Sequence, residues 1–378
     1  MSPEKKPLQR TMDRTLLGIV LILVTGGFLI FSSASLGLLA REGARFSSIA
    51  LSQFGFGVIG GLIALTLTSN VHYRFWRKYA FHFFVASMVL TLLVFVPHLG
   101  FAHGGAHRWI LLGSFSFQPS ELLKIAFVIY TATWLSGMQK YVGTSLKGTL
   151  PFVGLLGIVG IVMLAQPDTD TYLIMAAAAG AMFITAGGRW RDMALLFLGA
   201  VLLLGMLAFA RPYVMDRFVI FMNPALDPHG KGYQIQQSLI AIGSGGVTGR
   251  GFGQSIQKFE YLPEPIGDSI FAVFGEEFGF IGSFLLIMLF TFFAFRGYTI
   301  ASHTPDMFGT LLAVGFVTLI SSQAFLNIAA MLGVAPLSGL PLPFISHGGT
   351  SLLTLLAAVG IVLNVSKYAH PKKVRGSS

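Results

Sequence analysis

Asp268 is a candidate for acid–base chemistry because of the residues that surround it. It follows Pro263, Pro265 and Gly267 and precedes a long apolar run, at or near the first turn of a predicted helix. The amino-terminal end of a helix favours a negative charge. Two interpretations are open. Asp268 caps the helix, or its carboxylate points into an outward-facing cavity, where it accepts a proton from a substrate hydroxyl or holds a divalent cation.

Glu121 and Lys124 form a second charged group, three residues apart on one face of a helix that begins in FQPSELLKI, residues 117–125. An ionised group in a membrane span costs on the order of 3 kcal/mol near the bilayer centre, so a local ion pair is one explanation. In the other, both residues line the same cavity as Asp268, and Lys124 supplies positive charge for an anionic group. Arg108, beside Trp109, is either an interfacial anchor or a phosphate contact.

Ser346, Gly348 and Gly349 lie in GLPLPFISHGGTS, residues 339–351, which leads into the last apolar run. The paired glycines allow another backbone to approach closely, and the N–H groups of such a turn could bind an anion. A tight start to the last helix is the simpler explanation.

The remaining acidic residues in apolar surroundings favour structural roles. QPDTDTY, residues 166–172, predicts a turn and a helix start in which Asp168 or Asp170 is the cap. Glu276 and Glu277 lie two turns or more into the helix that follows Asp268. Because both cannot face lipid, at least one should face the bundle and bond to another helix.

The composition requires a membrane protein. Of 378 residues, 54% are hydrophobic and 11% are charged, against roughly a quarter charged in ordinary soluble domains. Apolar runs of spanning length recur along the whole chain, so we predict an all-α fold in one polytopic domain, residues 1–378. There is no cysteine, which excludes disulfides and thiolate metal sites. The net charge of +10 is scattered between the runs, which argues against nucleic acid as a partner.

The apolar runs predict ten transmembrane spans and one long loop. The spans lie near residues 15–40, 48–68, 79–96, 119–137, 149–165, 171–187, 193–210, 268–295, 307–330 and 346–366. The loop, residues 211–267, separates the seventh span from the eighth and is predicted to be extracytoplasmic. Within it, GYQIQQSLIAIGSGG predicts a short amphipathic helix that lies in the interface or returns to the bundle.

The distribution of Lys and Arg sets the predicted orientation. If the amino terminus is cytoplasmic, 16 of the 25 basic residues lie on that side. The amino-terminal segment, 1–14, and the tail, 369–378, are then both cytoplasmic. Three catalytic or nucleotide-binding patterns are missing from the sequence: GxxxxGK[ST], HExxH and GxSxG. ATP-driven transport and zinc or serine hydrolysis therefore lose support.

Taken together, these motifs resemble a known family. GAHRWI, FQPSELLK, QPD, FMNPALDPHGKGY, EYLPEPIGDSIFAVFGEEFGFIG and GLPLPFISHGGTS match, in order and spacing, the SEDS family of bacterial cell-wall proteins, which includes FtsW, RodA and SpoVE. The resemblance extends from the first span to the last.

The resemblance implies a function. SEDS proteins are peptidoglycan glycosyltransferases that polymerise lipid II at the outer face of the cytoplasmic membrane, with a class B penicillin-binding protein as partner. The 4-hydroxyl of one lipid II attacks the anomeric carbon of another chain, with inversion, and undecaprenyl diphosphate leaves. A lipid II flippase and a non-catalytic scaffold for the penicillin-binding protein are the alternatives.

The resemblance also implies roles for individual residues. Asp268 matches the essential outer-loop aspartate of the family, as base or as metal-assisted activator. Glu121 and Lys124 match the acid and lysine of its QPSE-x-x-K motif, and Arg108 matches its G-x-x-RW arginine. Lys124 and Arg108 are therefore the candidates for stabilising charge on the substrate, with Glu121, Ser346, Gly348 and Gly349 as further substrate-binding candidates. If a cofactor takes part, it is a divalent cation, Mg²⁺ or Mn²⁺.

This chain departs from the family pattern near Asp268. The family usually has Thr-Asp-Phe where this chain has Gly267, Asp268 and Ser269, and Ser-Tyr-Gly-Gly where this chain has Ser346, His347 and two glycines. The motifs divide between the elongation and division subfamilies, and we favour an FtsW-like protein.

Overall fold

Ten helices make up most of the part of the chain that the structure describes, in agreement with the predicted number of spans. The structure, a computed structural model, describes residues 11–41, 49–97, 99–103, 106–112, 115–210, 212–228 and 230–369. The predicted cytoplasmic ends therefore fall largely outside the described residues. The long helices are α1 (Arg14–Arg41), α2 (Gly61–Asn70, preceded by the π-helical turn Ser52–Gly60), α3 (Arg74–Leu92), α4 (Pro119–Gly137), α5 (Leu150–Ala165), α6 (Thr169–Thr185), α7 (Trp190–Ala210), α11 (Ile270–His303), α12 (Met307–Met331) and α13 (Gly349–Ser366).

Seven helical segments in the described residues are long and apolar enough to cross a membrane. They are 14–37, 49–70, 74–95, 145–165, 270–303, 307–331 and 349–366. The helix Thr169–Thr185 is apolar but shorter. The predicted all-α, multi-pass architecture is thus confirmed.

The centre of the bundle is α12, most of which is buried. It packs against α4, α6, α11 and α13. The last helix, α13, packs closely against α2, where Thr68 donates a hydrogen bond to the carbonyl of Ala357 at 2.9 Å. The loop between α12 and α13 therefore lies beside the starts of α4, α6 and α11, which is where the candidate residues collect.

A small antiparallel sheet, which the sequence analysis did not predict, precedes α4. Its strands are β1 (Gly100–His103), β2 (Ala106–Leu112) and β3 (Phe115–Phe117), in the order β1-β2-β3. Trp109 is paired with Phe101, and Ile110 with Phe117. Arg108 lies in the central strand at an irregularity of the register: Phe101 pairs with Trp109 and Ala102 with His107, so Arg108 between them has no partner residue in β1.

The predicted long loop contains three helices of its own: α8 (Pro212–Met222), α9 (Lys231–Ser244) and α10 (Gln257–Glu260). The amphipathic helix predicted from GYQIQQSLIAIGS is α9. It packs against α11, so this part of the loop returns to the bundle. The side of the membrane on which the loop lies stays a prediction.

Helix α11 is broken at Gly279, whose φ of 65° and ψ of −161° are not helical. Beyond the break, the N–H of Phe280 donates to the carbonyl of Gly246 at 2.9 Å. Before it, the N–H of Arg250 donates to the carbonyl of Glu276 at 3.0 Å. The glycine-rich segment after α9 therefore forms backbone hydrogen bonds with α11 on both sides of Gly279. These bonds replace the helical hydrogen bonds that are lost at the break.

Glu276 and Glu277 are both buried, and Glu277 accepts a hydrogen bond from the hydroxyl of Ser33 in α1 at 2.6 Å, the contact to another helix that was predicted for at least one of them. Both also bind the long loop. The carboxylate of Glu276 accepts hydrogen bonds from the hydroxyl of Ser255 at 2.6 Å and from the N–H of Ile256 at 3.1 Å. Glu277 pairs with the fully buried Lys258 at 2.7 Å. Both carboxylates lie in the half-helix that begins just after Asp268, so they fix its orientation against the loop.

Candidate active site

Asp268 lies two residues before α11, and its backbone is held from two directions. The side-chain amide of Asn327, in α12, donates to the carbonyl of Asp268 at 2.9 Å and to that of Leu340 at 2.8 Å. The hydroxyl of Ser346 donates to the carbonyl of Gly267 at 2.7 Å. These bonds tie the turn at Asp268 to the loop that follows α12, so the position of the carboxylate is defined by the core of the bundle.

The Asp268 carboxyl does not cap its helix. The residue at the cap position is Ser269, and it makes no side-chain capping bond. Asp268 is partly exposed, and its carboxyl receives no hydrogen bond from any residue that the structure describes. The carboxyl is thus available to a ligand.

The surroundings of Asp268 raise its pKa to about 7. Burial is the largest cause, followed by the negative charges of Glu264 and Asp170, while Arg108 and Arg217 act in the opposite direction. A carboxyl with a pKa near neutral pH can take up a proton and also exists as the base in a substantial fraction of molecules. This is the range in which general-base catalysis works best.

The start of α6 brings two aspartates to the site. Asp168 occupies the cap position, as predicted for one of the two, but its side chain makes no capping hydrogen bond to the backbone. Oδ1 of Asp168 lies 3.5 Å from Nη1 of Arg108. The Arg108 guanidinium also donates through Nε to the carbonyl of Gln166 at 3.3 Å and through Nη2 to the carbonyl of Pro167. Arg108 thus anchors the sheet to this turn and lies within electrostatic reach of Asp268.

The second aspartate, Asp170, pairs with an arginine from the long loop. Nη1 of Arg217, in α8, lies 2.8 Å from both carboxylate oxygens of Asp170. Asp170 also accepts the N–H of Gly339 at 3.2 Å. Sequence reasoning missed Arg217 because it lies in an amphipathic stretch, PYVMDRFVIFM, residues 212–222, whose one cation is explained equally well by the water interface.

Glu121 and Lys124 form the predicted ion pair, at 2.9 Å, and both are buried. Nζ of Lys124 also donates to Gln323 of α12 at 3.2 Å, and Glu121 accepts from the hydroxyl of Ser351 at 3.1 Å. The positive charge of Lys124 lowers the pKa of Asp168, so the pair lies near the turn before α6. The pair therefore links α4 to α12 and α13. A direct role in substrate binding stays a prediction.

Ser346, Gly348 and Gly349 are engaged with the protein itself. The Ser346 hydroxyl bonds to Gly267 and accepts the N–H of Leu342 at 2.8 Å. The N–H of Gly348 donates to the side chain of Gln53 at 3.0 Å. A Cβ on Gly349 would lie 2.7 Å from the carbonyl oxygen of Ser52, so the close backbone approach expected of these glycines is present. Their substrate-binding role stays a prediction, and their observed contacts are those of packing.

The side chains at the site do not by themselves make a resident metal site. No group of three or more His, Asp or Glu residues suited to a metal occurs in the described part of the chain. Asp170 is already paired with Arg217, so Asp268 is left with Glu264 as its acidic neighbour. We therefore derive no step through a cation.

Sequence comparison assigns the chain to a family. The model of the FtsW, RodA and SpoVE family, described as "Cell cycle protein", matches residues 13–371. This chain belongs to that family, the SEDS family. Stage V sporulation protein E of Bacillus subtilis is 39% identical over 360 residues, covering 95% of this chain and 98% of the relative. A probable peptidoglycan glycosyltransferase FtsW of Geobacter sp. strain M18 is 38% identical, covering 94% and 96%.

Solved structures of SEDS proteins share this fold. RodA, the rod shape determining protein of Thermus thermophilus, has a TM-score of 0.69 and 26% identity, with 97% of this chain and 100% of RodA covered. A chain from a structure titled "Structural coordination of polymerization and crosslinking by a peptidoglycan synthase complex" has a TM-score of 0.77 and 27% identity, covering 94% and 98%. The predicted SEDS family and its multi-pass membrane fold are confirmed.

Proposed function

We propose that this protein is a peptidoglycan glycosyltransferase that polymerises lipid II and releases undecaprenyl diphosphate. The observation that carries the proposal is the Asp268 carboxyl, which is held in position through its backbone, free of hydrogen bonds from the described residues, and shifted to a pKa of about 7. The names of the FtsW relatives support the same activity.

In the proposed reaction, the 4-hydroxyl oxygen of the acceptor sugar forms a bond to the anomeric carbon of the donor. The bond from that carbon to the diphosphate oxygen breaks, and its electron pair leaves with undecaprenyl diphosphate. The hydroxyl proton passes to the Asp268 carboxylate. Such a base typically contributes a factor of about 10² to 10⁴ to the rate. Arg108, close to Asp268, contributes positive charge as the diphosphate leaves.

We further propose that the site faces the outside of the cytoplasmic membrane, with both termini in the cytoplasm and residues 211–267 on the outer side. The positive-inside distribution supports this orientation. A class B penicillin-binding protein is the proposed partner, which the peptidoglycan synthase complex among the structural relatives supports. The identity to SpoVE and FtsW proteins supports an FtsW-like member rather than a RodA-like one.

The test is to incubate the purified protein and its class B partner with lipid II and to separate the products by gel electrophoresis. We expect glycan polymer. A parallel assay follows fluorescent lipid II across the bilayer of vesicles that contain the protein. Movement of lipid II without polymer would favour the flippase alternative, and neither polymer nor movement would favour the scaffold alternative.

A further inference from the structure

The ion pair between Arg217 and Asp170 joins three elements beside Asp268. Arg217 comes from α8, Asp170 from the start of α6, and the N–H of Gly339, which also bonds to Asp170, from the loop after α12. The two side chains are mostly buried, 17% and 10% exposed. Arg217 is therefore fixed in one place at the site by a carboxylate that is itself held by the backbone.

A second cation, Lys231, is the first residue of α9, and α9 contacts α8, the helix that carries Arg217. Burial lowers the pKa of Lys231, and the positive charge of Arg217 lowers it further, while Asp216, Asp170 and Asp227 act in the opposite direction. The positive charge of Arg217 also lowers the pKa of Asp268. The geometry agrees: the N–H of Gly339 bonds to Asp170, the partner of Arg217, and a Cβ on Gly339 would lie 3.9 Å from Oδ2 of Asp268. The Arg217–Asp170 pair and the candidate base therefore lie side by side. The mutual repulsion of Arg217 and Lys231 would be relieved by a bound anion.

The other two cations near the site, Lys124 and Arg108, belong to α4 and to the small sheet. Lys124 is buried between Glu121 and Gln323. The guanidinium nitrogens of Arg108 bond to the turn before α6: Nε to Gln166, Nη2 to Pro167 and Nη1 to Asp168. Arg217 and Lys231, by contrast, come from α8 and α9 in the long loop, which is also where a lipid-linked substrate would approach under the proposed orientation.

We propose, on the basis of the function proposed above, that Arg217 and Lys231 bind the diphosphate of the lipid-linked donor and that Asp170 positions Arg217 for this contact. A guanidinium group matches the geometry of phosphate oxygens, and an ammonium group adds a compact second charge. Because negative charge on the diphosphate grows as the donor bond breaks, the same two cations stabilise the leaving group.

The experiment measures the dissociation constant of undecaprenyl diphosphate for the purified full-length protein in detergent, with undecaprenol as the uncharged probe. The variants are Arg217→Gln, Arg217→Lys and Lys231→Met. Arg250→Gln is the matched control, because it removes an arginine of the same long loop that lies outside the site and pairs with Glu276 at 3.5 Å.

We expect Arg217→Gln to weaken binding of the diphosphate by about 10- to 100-fold, the range for losing a charged hydrogen-bonding group. Lys231→Met should weaken it several-fold, and Arg217→Lys should restore part of the loss. Undecaprenol should bind all variants alike, and Arg250→Gln should bind the diphosphate like the wild type. Equal dissociation constants for wild type and Arg217→Gln would overturn the proposal. Should Arg217→Gln fail to fold, an unchanged constant for Lys231→Met would overturn it in the same way.

Failure of the proposed binding site can be distinguished from failure of the proposed function, because the binding measurement does not require the protein to make polymer. A wild-type protein that binds the diphosphate through Arg217 but makes no polymer would refute the glycosyltransferase proposal and leave the binding site intact. A protein that makes polymer while Arg217→Gln and Lys231→Met bind the diphosphate normally would refute the binding site alone.

Discussion

The pKa of Asp268 is set near neutral pH by several opposing charges and by burial, not by one partner. Burial, Glu264 and Asp170 favour the protonated carboxyl, whereas Arg108 and Arg217 favour the carboxylate. The two arginines are themselves held by aspartates of the turn before α6. The protonation state of the candidate base therefore depends on two ion pairs that do not include it.

The first prediction concerns the pH dependence of polymer formation. Because only the deprotonated carboxyl can act as the base, and the pKa of Asp268 is raised to about 7, the rate should increase with pH through about 7 and level off above 8. The measurement is the initial rate at saturating lipid II from pH 5.5 to 8.5. A rate that is flat between pH 6 and 8 would contradict the assignment of Asp268, with its pKa of about 7, as the base.

The second prediction concerns His347, which stands where the family usually has tyrosine. Its half-buried ring stacks on Phe31, and loss of solvation lowers its pKa to about 4. In the folded protein this histidine binds its proton less readily than in the unfolded chain. The stability that depends on its neutral form is therefore complete above pH 6.5 and is lost as the pH falls towards 4.

Between pH 7 and pH 5 this loss amounts to about 2 kcal/mol, at 1.36 kcal/mol per unit of pKa difference. His347→Phe keeps an aromatic ring against Phe31 and removes the titrating group. The midpoint of thermal unfolding should therefore fall less for this variant than for the wild type when the pH is lowered from 7 to 5. An equal fall in both proteins would contradict the argument.

At the scale of elements, the break in α11 connects the site to the long loop. The half-helix before Gly279 begins two residues after Asp268 and ends at the two glutamates that hold the loop. A residue with a Cβ is disfavoured at a φ of 65°, and here the Cβ would lie 2.3 Å from the backbone nitrogen of Gly249. Only glycine therefore permits the pairing of loop and helix.

The third prediction is that Gly279→Ala displaces the loop and with it the half-helix that follows Asp268. The left-handed φ alone costs about 1–2 kcal/mol, and the clash with backbone adds to it. Polymer formation and the unfolding temperature should both fall. Gly199→Ala is the matched control, because a Cβ at Gly199, in α7, meets no atom within 4 Å. If both variants behaved like the wild type, the break would have no structural role.

The sequence predicts the long elements of this fold well and the site only in part. Spans such as 119–137 and 307–330 match α4 and α12 closely, because apolar length and helix propensity alone specify them. The small sheet was missed because its strands are only three to seven residues long. The kink at Gly279 was missed because its cause is the segment at residues 246–251, which is distant in sequence.

The same division applies to individual residues. Asp268, Glu121 and Lys124 could be identified because a charge in an apolar run is conspicuous. The Arg217–Asp170 pair and the bonds from Asn327 could not, since each joins segments far apart in the chain. Local spacing explains Asp170 equally well as a helix cap.

At the scale of the whole molecule, the topology can be tested because the chain has no cysteine of its own. The fourth prediction uses two single-cysteine variants at exposed positions, Leu226→Cys in the long loop and Asn70→Cys at the end of α2. A membrane-impermeant maleimide added to intact cells without an outer-membrane barrier should label Cys at 226 and not at 70. Detergent should expose both, and the reverse pattern in intact cells would invert the proposed orientation.

The most direct test of the account is polymer formation by Asp268→Asn in complex with the class B partner. The carboxamide keeps the size of the side chain and removes the base, so the rate should fall about 10²- to 10⁴-fold. The fold should be retained, because a carboxyl whose pKa is raised in the folded protein opposes folding when it is ionised, above its ordinary pKa near 4. The account predicts a stable, partner-bound Asp268→Asn protein that makes almost no glycan from lipid II. Polymer produced at the wild-type rate by this variant would contradict it.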